Sequence, residues 1–293
     1  MGVRDGVFLH YTCTVLRHSK SQMAGFWEKA PKPEGMPDSQ LPEASSFDAV
    51  APYYEQLMSN VPYRFWLSYL IRLWTLHGVT HRRVLDLACG TGTVSRMLAE
   101  RGHEVVGVDI APRMLEIARA KAADDRLAIE FVCQDAAELS LPGYQFDSVI
   151  SLFDSLNYIL RPESLAEAFR RVCAHMVPGG AFVFDLNTEY ALAEGMFNQS
   201  CTRRDEPLHY RWRSRYNGTT RICTVNMSFW YKTAEGERDE FKEVHRQRGY
   251  SKTEILKYLA DAGFGEVAIY DAYTTEPPTP KSDRIFYVAV KPV

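Results

Sequence analysis

Between Val84 and Ser95 the chain reads Val-Leu-Asp-Leu-Ala-Cys-Gly-Thr-Gly-Thr-Val-Ser. Glycines at 90 and 92 let a backbone turn come close to a ligand, and the helix start that follows offers N–H groups to it. Asp86 stands just ahead of this turn, and Asp109 and Asp135 close two later apolar runs. Three carboxylates arranged around a glycine turn suit a ligand that spreads a cationic group, ribose hydroxyls and an exocyclic amine across neighbouring strand ends. If an acceptor bound there must lose a proton, a Tyr or His is the natural base, and Tyr54 and His245 are the candidates.

These residues need a scaffold, and the hydrophobic pattern supplies one. Two amphipathic helices, with Tyr63, Trp66, Leu67, Leu70, Ile71 and Trp74 at helical spacing, precede the turn. Strands are expected over 104–110, 127–132, 146–152 and 181–186, the last entered through a turn at Pro178-Gly179-Gly180. Helices open at Pro112, with Met114 and Leu115 on the inner face, and run over 163–176. Such alternation implies a parallel sheet covered on both faces. It then breaks. Tyr210, Trp212, Ser214 and Tyr216 alternate with Arg211, Arg213 and Arg215, Asn217-Gly218 reads as a two-residue hairpin turn, and 219–231 is a second alternating run. A third run follows through Phe241, Val244 and Arg248. Ser251 with Glu254 has capping-box spacing, and strands over 267–273 and 284–290 finish the chain. The fold class is α/β: a doubly wound, Rossmann-like, seven-stranded, mostly parallel sheet with an inserted antiparallel β-meander. Residues 1–46 are expected to be an extension outside the core, 47–187 with 251–293 the core, and 188–250 the inserted sheet.

Composition narrows the setting. A 46% apolar chain of 293 residues can build a sizeable core, and a net charge of −3 gives no overall pull towards nucleic acid or membrane. The six cysteines show no C-x-x-C pair, which suggests free thiols in a cytoplasmic protein and no metal site. No apolar run reaches the roughly 18 residues of a membrane span, and the N-terminus does not read as a signal peptide.

Two phosphate-binding designs fail. A dinucleotide fingerprint needs Gly or Ala three places after the second glycine, where Ser95 stands, and no Gly-Lys-Ser/Thr follows as a P-loop requires. With Asp86, Asp109 and Asp135 in order around Gly90-x-Gly92, residues 47–293 resemble the class I S-adenosylmethionine-dependent methyltransferases. The nearest subgroup is the small bacterial-type enzymes with an Ala-x-x-Tyr-Asp-like N-terminal helix. The resemblance implies S-adenosylmethionine as cofactor. Asp86, Ala88, Cys89, Gly90, Thr91 and Gly92 would surround its amino-acid end, with Asp86 acting on the amine. Asp109 would take both ribose hydroxyls, Ile110 and Met114 would flank the adenine, and Asp135 and the Ala136 N–H would meet its polar edge. Phe153 would offer its backbone carbonyl near the methionine amine, and Tyr54 would reach the methyl or carboxylate. Ala88 departs from the usual glycine and Glu55 from the usual aspartate.

The bland alternatives stand beside these roles. A strand-end aspartate commonly caps a helix, Cys89 reads as a small spacer, and Asp154 and Asn157 suit capping as well as substrate contact. The inserted sheet should roof the strand tips, with Arg211, Arg213, Arg215, Arg203, Arg204 and Arg221 forming a solvated face or, as alternatives, receiving an anionic small-molecule acceptor or RNA. The function expected is methyl transfer to an N or O atom of a small-molecule acceptor; alternatives are an RNA (tRNA) methyltransferase and a non-catalytic S-adenosylmethionine-binding protein.

Overall fold

The structure, a computed structural model, describes residues 47, 49–201, 208–232 and 238–293. The expected extension over 1–46 lies outside the described residues, as do Arg203 and Arg204. The central sheet is built from β1 (Arg83–Leu87), β2 (Glu104–Asp109), β3 (Glu130–Cys133), β4 (Phe146–Ser151), β5 (Met176–Asn187), β10 (Val267–Asp271) and β11 (Arg284–Val290). Their spatial order is β10-β11-β5-β4-β1-β2-β3, and β11 runs antiparallel to both its neighbours. The helices are α1 (Tyr54–Leu57), α2 (Tyr63–Leu76), α3 (Thr93–Ala99), α4 (Pro112–Asp124), α5 (Pro162–Ala174), α6 (Glu189–Ala193) and α7 (Lys252–Asp261). A second, antiparallel sheet holds β6 (Gln199–Cys201), β7 (Leu208–Asn217), β8 (Ile222–Lys232) and β9 (Arg238–Arg248) in that order.

Period-two alternation divides each central strand between two cores. Leu85, Leu87 and Val149 pack with Phe169 of α5 and Leu259 of α7. Val84, Ile150 and Val183 pack on the other side with Leu70 and Trp74 of α2 and Leu98 of α3. Strand order reverses at β1, with β2 and β3 on one side and β4 on the other. In open sheets of this kind the crevice at such a reversal, outside the carboxyl ends of the strands, is where ligands bind.

Three expectations are corrected. Pro178-Gly179-Gly180 is not a turn before β5 but part of it; the strand starts at Met176, and the register slips against Phe146 and Ser148 of β4. Gly180 lies so close to β4 that a Cβ there would stand 2.8 Å from the Asp147 carbonyl oxygen, so the bulge needs glycine for close approach. The hairpin at Asn217 has four loop residues rather than two, since Asn217 pairs with Ile222. Asn217 turns its side-chain oxygen to the Thr219 and Thr220 N–H groups, and Arg221 completes the loop at φ 57°. In β9, Val244 faces out and the buried positions are Glu243, His245 and Gln247.

The two sheets are joined by a buried amide. Asn157, fully buried, accepts from Asn187 N–H at 2.9 Å and donates to Asn187 and Arg248 carbonyls at 3.1 and 2.8 Å. It is therefore structural in this fold. Asn157→Ala would leave three buried backbone groups without partners and is expected to lower stability by about 2 to 4 kcal/mol in urea denaturation.

Candidate active site

Three consecutive features shape the tip of β1. Ala88, Gly90 and Gly92 all adopt left-handed backbone, at φ 61°, 55° and 71°. Ala88 bears the ordinary cost of that region for a residue with a Cβ, about 1 to 2 kcal/mol. Gly90 has open space where a Cβ would stand, so its surface is clear for a ligand to approach. Glu55 of α1 reaches over the loop: its carboxylate accepts from Thr91 Oγ1 at 2.5 Å and pairs with Lys121 Nζ at 2.8 Å.

The expected carboxylates lie at the strand ends. Asp86 is buried on the α3 side and accepts from Ser95 Oγ at 2.5 Å. Burial pushes its carboxyl up to about 7, with Asp109 adding to the rise and the Ser95 hydrogen bond opposing it. Asp109 accepts from Gly90 N–H at 2.7 Å and Ala111 N–H at 2.8 Å, so one side chain fixes both the glycine loop and the start of α4. Its burial raises the carboxyl while those N–H groups lower it. Ile110, next in sequence, is 57% exposed, an apolar side chain left uncovered at the crevice edge, whereas Met114 is buried with Ala51 and Ala111. Asp135 caps the turn Ala136–Glu138 by accepting from Ala137 N–H at 2.7 Å, so the capping role foreseen as the bland alternative is present.

Beyond β4 the backbone is left-handed at two consecutive residues, Phe153 (φ 66°) and Asp154 (φ 52°). Their N–H groups both donate to Asp185, at 2.8 and 2.9 Å, and Arg284 bridges Asp185 and Asp154. Asp154 is thereby a structural ion-pair partner. Arg221, grouped with the arginine face in the sequence, instead forms a two-pronged pair with Glu254 at 2.5 and 2.6 Å.

Tyr54 meets these elements. Burial pushes its phenol well up, helped by the neighbouring Tyr63, Tyr158, Asp154 and Asp109, so it is a neutral hydroxyl. Tyr54 packs against Ala51, Ala111 and Met114 and feels the Asp109 charge, which also acts on Asp86, so these residues gather in one region at the tips of β1 and β2. His245 does not stand open to it. The ring is buried, with Nδ1 3.0 Å from Tyr158 Oη and Nε2 2.6 Å from Glu243. Tyr158 and Glu243 escaped the sequence reading, although period two from Phe241 places Glu243, His245 and Gln247 on one face.

The comparisons fit this geometry. Residues 84–180 match the family model of a methyltransferase domain. The methyltransferase-family protein YqeM of Bacillus subtilis (strain 168) is 33% identical over 84% of this chain and 97% of its own length. The chain belongs to the class I S-adenosylmethionine-dependent methyltransferases. An S-adenosylmethionine-dependent methyltransferase from Clostridium acetobutylicum ATCC 824 superposes with a TM-score of 0.75 at 27% identity, covering 84% of this chain and 99% of that one. The fold is also that of the sugar N-methyltransferase KedS8 from Streptoalloteichus sp. ATCC 53650, at TM-score 0.67 and 22% identity over 91% and 100% of the two chains. S-adenosylmethionine is the cofactor of this methyltransferase, and its residues suit that ligand. Gly90 leaves room for close approach, Asp86 and Asp109 provide buried carboxylates for cationic and hydroxyl groups, and Ile110 provides an uncovered apolar surface.

The raised Asp86 carboxyl carries a pH signature. The folded methyltransferase holds this proton more tightly than the unfolded chain, so the group favours the folded state at low pH and loses that contribution as pH rises from about 4 to 7. If Asp86 meets the cofactor's cationic amine, as the resemblance implies, it must do so ionised, and binding below about pH 7 would expel the proton. Cofactor affinity, measured by calorimetry, is expected to rise by up to about tenfold per pH unit and to level off above about 7. In Asp86→Asn the pH dependence should vanish.

Proposed function

We propose that the methyltransferase transfers the methyl group to an N or O atom of a small-molecule acceptor held between the strand tips and the antiparallel sheet. The observation that supports this most is the orientation of that sheet. Its inner face, with Cys223, Val225, Met227 and Phe229, is buried against Val50, Tyr53, Tyr54 and Leu57. Arg211 and Arg215 are exposed on the outer face. The two exposed arginines therefore do not lead a polyanion towards the strand tips. The reading is in keeping with KedS8, a protein of the same fold described as a sugar N-methyltransferase.

The cofactor supplies an electrophilic methyl group, and the protein's share is to hold the acceptor in line with it and keep water out. Orientation of this kind can supply about 7 to 11 kcal/mol of a barrier. In the roles implied by the resemblance, Asp86, the 88–92 loop and the Phe153 carbonyl hold the amino-acid end. Asp109 holds the ribose, Ile110, Met114, Asp135 and Ala136 hold the adenine, and Tyr54 faces the reacting end. Among the described residues no helix is long and apolar enough to cross a membrane. Cys89, Cys133, Cys173, Cys201 and Cys223 are free thiols, the state a reducing cytoplasm favours.

Incubation with S-adenosylmethionine and a panel of small amines, amino sugars and phenols should release S-adenosylhomocysteine with at least one class. Bulk tRNA should neither accept methyl groups nor shift in a gel. Methylated tRNA would favour the RNA reading, and binding without turnover over the whole panel would favour a non-catalytic protein. Asp109→Ala is expected to weaken S-adenosylmethionine binding by about tenfold or more, the effect of losing hydrogen bonds to a charged group.

A further inference from the structure

Glu243, His245 and Gln247 put three polar side chains on the buried face of β9, where a roof strand ordinarily presents apolar ones. Each is satisfied in a way that fixes a proton. Glu243 accepts from Val50 N–H at 2.8 Å and Phe47 N–H at 3.3 Å, and lies 2.6 Å from His245 Nε2. A carboxylate that already accepts backbone donors calls for the imidazole to carry its hydrogen on Nε2. Nδ1 is then a lone pair, and the Tyr158 hydroxyl 3.0 Å away is its donor. Burial pushes the Tyr158 phenol far up, so the proton it donates is its own. Gln247 also hydrogen-bonds the Tyr158 oxygen and donates to Asp154. With one lone pair so engaged, the phenol oxygen keeps a second for a donor arriving beside Tyr54. The Phe47 ring, centred 4.6 Å from His245 and 5.3 Å from Tyr158, covers the chain of groups.

We propose that Tyr158 is a catalytic residue that receives the acceptor's proton, with His245 and Glu243 as the positioning residues that take the phenolic proton onward. This rests on the methyl-transfer reading and narrows it: the acceptor atom bears an N–H or O–H whose proton has to leave. As that atom's lone pair bonds to the methyl carbon, the carbon–sulfur bond breaks with its electrons left on sulfur. The acceptor's proton passes to Tyr158 Oη, and the phenolic proton passes to His245 Nδ1. Tyr158 stays neutral throughout, the imidazolium that results faces the Glu243 carboxylate, and its proton leaves to water with the product.

The test needs no acceptor. Sinefungin carries an amine where the reactive methyl stands, so its N–H groups probe the same oxygen; S-adenosylhomocysteine has nothing there. In calorimetry, Tyr158→Phe is expected to weaken sinefungin about tenfold or more while S-adenosylhomocysteine changes by less than about twofold. His245→Gln should weaken sinefungin in the same sense and add nothing in the Tyr158→Phe background, because it acts through the phenol. In protein labelled with 15N-histidine, with the signal assigned by its loss in His245→Gln, His245 should show a protonated Nε2 and a hydrogen-bonded, unprotonated Nδ1. Tyr158→Phe should shift Nδ1 alone. Equal losses for both ligands in Tyr158→Phe, or a proton found on Nδ1, would overturn the proposal. Failure of the wild-type protein to bind S-adenosylhomocysteine would instead remove the site reading beneath it, and the proposal with it.

Discussion

Asp185 is the constraint on which the crevice depends. It sits 1% exposed at the end of β5, and its two oxygens collect the N–H groups of Phe153 and Asp154 and the guanidinium of Arg284. Phe153 and Asp154 are both left-handed, a conformation that costs each about 1 to 2 kcal/mol. The carboxylate offsets that cost by giving the bent segment two charge-assisted hydrogen bonds. Burial raises the Asp185 carboxyl and the Asp154 charge adds to the rise, while Arg284, paired with both, opposes it. Breaking one member of such a buried set ordinarily costs about 3 to 5 kcal/mol, so the bend behind the crevice is rigid for electrostatic reasons rather than packing ones.

The antiparallel sheet is tied to this bend through amides. Gln247 reaches Asp154, Asn187 reaches Gln247, and Asn157 holds Asn187 and Arg248. The roof is thus registered to the strand tips by directional bonds, with an apolar patch from Phe229 to Val50 filling the remainder. Hydrophobic contact alone would allow the roof to slide, whereas a satisfied buried network specifies one position.

The sequence made the central sheet legible because its strands obey simple rules. Val84, Leu85 and Leu87 are apolar and buried on two faces, and Asp86 interrupts them with a buried carboxylate. The glycine loop and Asp109 stand out for the same reason, each breaking a local pattern, whereas Tyr54 is singled out by the resemblance to the family. Gly180 misled because glycine beside proline signals a turn, while here the neighbouring strand leaves no room for a side chain. Glu243 and Tyr158 were missed because burial was read from apolar residues. On β9 that rule selected Val244, which is exposed, and passed over Glu243 and Gln247, which face inward beside His245. A strand whose hidden face is charged can be recognised by its alternation but not by its hydropathy.

The segment from Phe47 to Leu57 is fastened at both ends, and the fastenings are unequal. Near Val50 it is held by backbone bonds to buried Glu243 and by the Tyr53 ring stacked 5.0 Å from Phe241. Near Glu55 it is held by hydroxyl bonds and an ion pair with Lys121 whose carboxylate is 47% exposed, a kind of contact that contributes little in water and less in salt. The two attachments therefore differ in what weakens them: dissolved salt screens the exposed pair beside the glycine loop, while the bonds to buried Glu243 are insulated from it.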